Sequence, residues 1–311
     1  MIDKTAIWKK DPESGTVYLR EGVTMAFFLP TPIAEVAGPI LAAFEEYLKM
    51  IPAGVLRWAS VGAGSEEWKP VEKKTIDRCR SQLKGEGTRK RSLTSFELAD
   101  GDNGGDAPGF GIMVIGNPLD PDLPDEKSLL QMYFPSEVAA EEQAEDFVNN
   151  LRKLATLLPY VSGYASPGLH WAELHKAQAL IEARAIARRH PGYDVQDNAI
   201  GRSDINLKVR GARWLTLLGM EIVEKIGGLK TLRQNLPGPI VVEEVGPGVM
   251  IRAGRQPEKG DVNRRIDTPL LRIVARVLEP VTAFGEIALL RTDFSDQDDN
   301  LLKQWERRFL D

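Results

Sequence analysis

Two of the three histidines, His170 and His175, lie five residues apart and are the pair that most resembles a metal-binding motif. The apolar periodicity around them predicts a long helix from Trp171 to Arg189. Residues five apart on a helix differ by about 140° around its axis, so the two imidazoles should diverge, whereas a zinc protease pairs histidines four apart. We therefore expect structural or surface roles for both histidines and predict no metal site.

The segment Gly62-Ala63-Gly64-Ser65 and the single cysteine, Cys79, are the next candidates for chemistry. The segment lacks the third glycine of a dinucleotide loop and the Lys-Ser or Lys-Thr of a phosphate loop, so we interpret it as a turn. Cys79 falls in a basic helix candidate with no histidine near it in the sequence, and no Gly-x-Ser-x-Gly elbow occurs. We predict no cofactor site and no nucleophilic catalytic residue.

The segment Gly260-Asp261-Val262-Asn263 offers one more carboxylate that could approach a cation or a substrate. Asp and Asn that follow a glycine most often hydrogen-bond their own backbone and hold a turn. We therefore favour a turn at Asp261, with Gly254 and Gly260 supplying backbone freedom around Pro257.

The elements that would position these residues are predicted from hydrophobic periodicity. Apolar residues recur at helical spacing from Ile33 to Leu48 and from Phe147 to Leu158, and helices are also expected between Glu66 and Leu83, over 221–226, after Thr268 and after Ser295. Val17–Arg20 and Val23–Leu29 are predicted to form a hairpin through Glu21-Gly22. Further strands are predicted at 55–61, 91–99, 110–115, 129–134, 160–165, 205–209, 212–218, 240–245, 249–253 and 283–290.

Strands joined by short turns outnumber strand-helix-strand units, which favours an α+β fold with a mixed or largely antiparallel sheet covered by helices. We predict a single domain over 1–311. The first half repeats an order of paired strands, helix and strand, so two lobes with a related strand-helix-strand organisation, 1–168 and 169–311, remain open.

Composition limits the class of protein. The chain has 311 residues, of which 42% are hydrophobic, enough to fill a large core without a disulfide. Its single cysteine excludes an internal disulfide and any cysteine-based zinc site, and it favours a reducing compartment. The sequence shows neither a secretory signal nor an apolar stretch of membrane length, so we expect a cytoplasmic protein that does not contact a membrane.

The charges are unevenly distributed, although the net charge is only −5. The segment 97–146 contains thirteen acidic residues and one base, Lys127, while the residues just before it are mostly basic. Such a dipolar chain can steer a charged partner. The basic run from Lys84 to Arg91 has no interleaved aromatic residues, so we interpret it as a solvated face and predict no nucleic-acid binding.

Four segments carry a resemblance to a known family. They are Arg213-Trp214-Leu215-Thr216-Leu217-Leu218-Gly219, Ile226-Gly227-Gly228, Gly248-Val249-Met250-Ile251-Arg252-Ala253-Gly254 with the following Gly260-Asp261-Val262-Asn263, and Tyr160-Val161-Ser162-Gly163-Tyr164-Ala165-Ser166-Pro167-Gly168-Leu169. Together they resemble the type VI secretion system immunity family. The resemblance implies a protein without catalytic residues, encoded beside a secreted toxin, that binds this toxin and protects the producing cell. Because several members of the family look like partners of nuclease effectors of the restriction-endonuclease type, the resemblance also implies that the toxin is a nuclease.

A nuclease partner would present a basic substrate groove, and an acidic surface could compete for that groove and speed the encounter. The resemblance transfers no toxin-contacting residue, so the candidates come from the acidic segment, where they crowd two loops and the start of a helix. They are Asp102, Asp106, Asp120, Asp122, Asp125, Glu141, Glu142 and Glu145.

Two other classes of function stay open from the sequence. One is a hydrolase whose site is assembled from carboxylates that are distant in the chain, and the other is a non-catalytic structural protein that forms a homodimer. The spacing of the acidic residues does not decide among these alternatives.

Overall fold

The computed structural model describes residues 7–62, 67–84, 93–118, 126–195, 197–202, 205–285 and 296–311. In these ranges eleven strands form one sheet in which every strand pair is antiparallel, which confirms the α+β class. The strands are β1 (Trp8–Lys10), β2 (Val17–Leu29), β3 (Trp58–Val61), β4 (Lys69–Pro70), β5 (Thr94–Ala99), β6 (Gly111–Gly116), β7 (Ser128–Pro135), β8 (Ser162–Trp171), β9 (Leu215–Gly219), β10 (Ile240–Val245) and β11 (Gly248–Ala253). Their order across the sheet is β10-β11-β9-β8-β2-β7-β6-β5-β3-β4, with β1 beside β2.

The helices lie on both sides of this sheet. They are α1 (Ile33–Met50), α2 (Lys73–Gln82), α3 (Ala144–Leu157), α4 (Lys176–Arg189), α5 (Asn198–Gly201), α6 (Met220–Lys225), α7 (Gly228–Asn235), α8 (Pro269–Leu278) and α9 (Asp296–Glu306). The predicted helices at 33–48 and 147–158 are therefore confirmed, whereas α7, which follows Gly227-Gly228 directly, is absent from the sequence-based prediction. None of the helices in the described ranges combines the length and the apolar character that a membrane crossing requires.

The central strand β2 corrects the predicted hairpin. It runs without a break from Val17 to Leu29, and β8 pairs along it with Gly22 opposite Gly168. A Cβ atom on Gly22 would lie 2.6 Å from the carbonyl oxygen of Phe134 on the other neighbouring strand. The glycine therefore permits close strand packing and does not form a turn.

Side-chain alternation along β2 gives the sheet two different faces. Val23, Met25 and Phe27 point to the main core, which α1 and α3 cover. Thr24 and Phe28 point to the opposite face, where smaller clusters of buried apolar residues leave room for polar groups. The second face is the one that carries the candidate site.

The second half of the chain extends the same sheet. The predicted hairpin of β10 and β11 is confirmed, and α6, α7 and α8 pack with these strands around a second apolar core. The boundary predicted between 168 and 169 falls inside β8, so the two halves share a continuous sheet. A related organisation of the two halves stays a prediction.

Some predicted elements differ from the structure. β8 continues to Trp171 because it pairs with β2 as far as Leu19, so α4 begins at Lys176, five residues later than predicted. The predicted strand at 205–209 is reduced to a single bridge between Val209 and Thr282. Residues 286–290 of the predicted last strand, Ser295, and all of the basic run except Lys84 lie outside the described residues.

Candidate functional site

His170 lies on a strand, which corrects the helical geometry predicted for the histidine pair. It is 2% exposed on β8, its Nδ1 lies 2.7 Å from the carbonyl oxygen of Pro108, and its Nε2 lies 3.2 Å from Oγ1 of Thr24. Burial lowers the pKa of His170 to about 3. A neutral ring that donates to Pro108 and accepts from Thr24 satisfies both contacts, so His170 has a structural role.

The other residues singled out for chemistry also serve the fold where they are described. Burial raises the pKa of the Cys79 thiol to about 12, so it is not an activated nucleophile. Asp261 accepts hydrogen bonds from the backbone N–H groups of Asn263 and Arg264 and from the guanidinium of Arg189 at 2.8 and 3.0 Å. The expected turn at Asp261 is present. The turn predicted at 62–65 lies outside the described residues from position 63 onward.

Among the described residues, no three His, Cys, Asp or Glu side chains are grouped so that they could hold a metal ion.

Two of the acidic candidates lie in the loop between β5 and β6 but have different surroundings. The Asp102 side chain is 80% exposed and lies 3.3 Å from the Arg57 guanidinium. Asp106 is buried, and its carboxylate accepts hydrogen bonds from the backbone N–H groups of Val17, Asp102 and Asn103 at 3.0 to 3.1 Å. The carboxylate of Asp106 therefore shapes the loop and offers little charge to a partner.

The three acidic residues before and within the first turn of α3 also differ from one another. Glu145 binds Arg252 at 2.7 Å and Arg152 at 3.2 Å, and these hydrogen bonds lower its pKa. Glu141 lies 3.9 Å from Arg255. Glu142 is exposed and has no ion-pair partner in the described part of the chain. Only part of this acidic segment is therefore available as unneutralised surface charge.

The acidic candidates that the structure describes follow one end of the sheet. The loop with Asp102 starts at the end of β5, beside the end of β7 from which the chain leads to Glu141 and Glu142. The remaining three candidates, Asp120, Asp122 and Asp125, lie outside the described residues.

A cavity of about 270 Å³ opens on the sheet face that α1 and α3 leave uncovered. The strands β8, β2, β7, β6 and β5 form its floor, and the loop before β6, the residues just before α4 and the start of α5 form its walls. Trp68 and Trp171 lie at its sides, both partly exposed. Period-two alternation brings the polar side chains of Thr24, Glu97 and Gln131 into it from three different strands.

The cavity gathers carboxyl groups from distant parts of the chain. Glu97 comes from β5, Glu173 precedes α4 and Asp197 precedes α5. Lys176 lies 2.8 Å from Glu173 and 2.7 Å from Asp197 and partly neutralises them. Burial, reinforced by repulsion from Glu173 and Asp197, raises the pKa of Glu97 to about 8, so this carboxyl is mostly protonated at pH 7.

A hydrogen-bonded chain of side chains crosses the floor of the cavity. Gln131 donates to the hydroxyl oxygen of Tyr133, and Asn198 donates to Gln131 and to Tyr164 at 2.7 Å each. Tyr164 in turn donates to Asp194. A connected network of this kind fixes its members in one arrangement.

The network ends at the segment on which the family resemblance depends. Arg213 is 2% exposed, and its guanidinium lies 3.1 Å from the Asp194 carboxylate. The next residue, Trp214, is buried, stacks on Phe147 of α3 and donates from its indole nitrogen to the Gly254 carbonyl oxygen. The segment thus joins the cavity floor to the main core.

The third segment of the resemblance, from Gly248 onward, serves packing as well. A Cβ atom on Gly248 would lie 2.1 Å from the Leu218 carbonyl oxygen, so only glycine allows β9 and β11 to approach there. Further along, Glu258 accepts hydrogen bonds from the backbone N–H groups of Leu270 and Leu271 and so caps α8. Thr268, the residue directly before this helix, makes no capping hydrogen bond through its side chain.

The cavity residues are not among those predicted from the sequence. In the sequence, Glu97 is one of many acidic residues, and Gln131 lies within an apolar strand. A charged or amide residue on the inner face of a predicted strand is the signal that could have found them, since such groups need a partner or a cavity.

Comparison with known proteins agrees with the resemblance. The family model described as type VI immunity for VRR-NUC matches residues 39–309. A solved structure, the Pseudomonas aeruginosa T6SS protein PA0821, has a similar fold with a TM-score of 0.80 and 19% sequence identity, covering 98% of this chain and 87% of that one. No curated protein sequence matches this chain.

Proposed function

The chain belongs to the type VI immunity family for VRR-NUC, and we propose that it acts in the cytoplasm by binding a VRR-NUC nuclease effector and blocking access to the nuclease groove. The family match over residues 39–309 carries this proposal. The matched range includes most of both cores and most of the cavity, so the sheet belongs to the unit on which the function depends.

An acidic surface near the start of α3, formed by Asp102, Glu141 and Glu142, supports binding to the nuclease groove. A nuclease must hold a polyanion, so its groove carries basic residues that an inhibitor with complementary charge can cover. Asp102 and Glu142 are exposed, and Glu141 joins them at the same end of the sheet. Protection of a cell requires a long-lived complex, for which we expect an interface of about 1,600 Å² and nanomolar affinity or better.

Charge reversal tests the acidic surface. We expect the triple variant Asp102→Lys, Glu141→Lys, Glu142→Lys to associate with the effector about tenfold more slowly at low salt, and the deficit should shrink as salt screens it. The matched control reverses two exposed acidic residues on α6, Glu221→Lys and Glu224→Lys. Equal association rates for both variants and the unmodified protein would refute the role of this surface.

A hydrolase is the second candidate because the cavity brings together carboxyl groups that are distant in the sequence. Glu97 is mostly protonated at pH 7, whereas Asp197 pairs with Lys176, and hydrolases can use one protonated and one ionised carboxyl. The stoichiometry of neutralisation separates the two candidates. An inhibitor must be present in a ratio of about one to one with the effector, whereas an enzyme that destroys the effector or its product would act at a much lower ratio.

A further inference from the structure

We propose that the cavity receives a single cationic group, the guanidinium or ammonium end of a basic side chain on the effector. This inference rests on the proposed function and names the contact at the centre of the interface. The loop that carries the exposed Asp102 also forms a wall of the cavity through Gly105 and Asp106. One loop therefore connects Asp102 of the acidic surface to the wall of the cavity.

Two polar groups in the cavity have no partner in the described structure. The Oδ1 atom of Asn198 accepts no hydrogen bond, although this residue is 1% exposed. The Glu97 carboxyl, which is partly buried at the cavity, has no hydrogen bond or ion pair with the described residues. Buried polar groups are nearly always paired, so the unpaired Asn198 oxygen, next to a cavity that also holds the unpaired Glu97 carboxyl, indicates that a donor enters there. Guanidinium and ammonium groups carry only donors.

The charge balance of the cavity also favours a cation. Glu97, Glu173 and Asp197 face one lysine, Lys176, which is already bound to two of them. Two arginines also act on this region, but each has a carboxylate of its own: Arg202, whose charge reaches Asp197, binds Glu126, and Arg20, whose charge reaches His170, lies 4.0 Å from Asp100. Asp194 is paired with the buried Arg213, Asp106 is held by backbone N–H groups, and the rings of His170 and Tyr133 are neutral.

The walls have the chemistry that accompanies a buried cation. Trp68 and Trp171 line the cavity, and Tyr133 forms part of its floor, so a cation would lie among aromatic rings that attract positive charge. Leu174, next to the lining residue Glu173, is 75% exposed and offers an apolar contact outside the mouth. A volume of about 270 Å³ accommodates one long side chain, at the lower limit of small-molecule pockets.

Entry of a cation should be coupled to the loss of a proton. A positive charge beside Glu97 favours its ionised form and lowers its pKa from about 8. Binding should therefore release a proton and strengthen as the pH rises from 6 to 8. The variant Glu97→Gln keeps the size of the side chain but cannot ionise, so it should lose this part of the pH dependence.

The test is titration calorimetry of the full chain with the cognate effector at pH 6, 7 and 8, each in two buffers of different ionisation enthalpy. We expect the Kd of Glu97→Gln, divided by the Kd of the unmodified protein, to rise about tenfold between pH 6 and 8. Only the unmodified protein should release a proton on binding. Glu221→Gln, an exposed acidic residue on α6, is the matched control and should follow the unmodified protein.

The outcomes separate this inference from the proposed function. If the effector binds and Glu97→Gln gives the same Kd and proton release at every pH, the cavity contact is refuted while the immunity role stands. If the effector does not bind the unmodified protein, both proposals fail. A parallel titration with N-ethylguanidinium tests a free organic cation as the ligand. Tight binding that Glu97→Gln abolishes, together with unchanged effector binding, would overturn the assignment to an effector side chain.

Discussion

The carboxylates at the start of α3 and those in the cavity differ in how their charge is used. Glu145 is held by Arg152 and Arg252, and its pKa is lowered, as expected for a residue that stabilises the fold as an anion. No basic side chain among the described residues forms an ion pair with Glu97, and its pKa is raised to about 8. A local count of acidic residues therefore does not reveal free charge, because pairing depends on basic residues that are distant in the sequence.

The largest effect should come from breaking the buried ion pair beneath the cavity. We expect Arg213→Met to lower the free energy of unfolding by about 3 kcal/mol or more, because Asp194 would be left as an uncompensated buried charge. Urea unfolding measures this loss. The control is Arg233→Met, which removes an exposed pair with Glu244 and should cost less than about 1 kcal/mol. Similar losses for the two variants would show that the cavity floor is not stabilised by Arg213.

Removing the unpaired carboxyl should stabilise the protein. Because the folded pKa of Glu97 is raised from 4.5 to about 8, the group contributes most to stability below pH 4.5, and this contribution is lost as the pH rises through 8. We expect Glu97→Gln to gain about 1 to 2 kcal/mol over the unmodified protein at pH 8, allowing for partial exposure to the cavity, and almost nothing at pH 4. Thermal unfolding at both pH values, with Glu221→Gln as the control, checks this. A pH-independent difference would contradict a raised pKa.

The smallest effects should distinguish the acidic residues of α3 from one another. We expect Glu145→Gln to cost about 1 kcal/mol because it weakens the link to Arg252, which is largely buried. Glu142→Gln should change the free energy of unfolding by less than about 0.5 kcal/mol, since its charge has no partner in the described residues. If Glu142→Gln proved the more costly substitution, the division of this surface into paired and free charges would be wrong.

Local pattern predicts the elements whose stability comes from one amphipathic face or one tight turn. The helices α1 and α3 and the hairpin of β10 and β11 are of this kind. The pattern fails where tertiary pairing decides the structure. Periodicity places Trp171 in a helix, but β8 continues to this residue because β2 supplies hydrogen bonds to it. Gly22 suggests a turn, although it marks a close approach between strands.

The candidate site is less predictable than the fold. The Asp261 turn is local, and sequence reasoning identifies it. The cavity combines Glu97, Gln131 and Asp197 from β5, β7 and the segment before α5, and only the order of strands in the sheet brings them together. No spacing along the chain encodes that order.

Whether the protein neutralises a nuclease by binding it is tested by measuring the effector's nuclease activity at increasing molar ratios of the purified full chain. We expect cleavage of DNA to fall linearly and to stop at about one immunity protein per effector, with a stable complex recovered by gel filtration. Undiminished cleavage at a tenfold excess, with no complex formed, would contradict it.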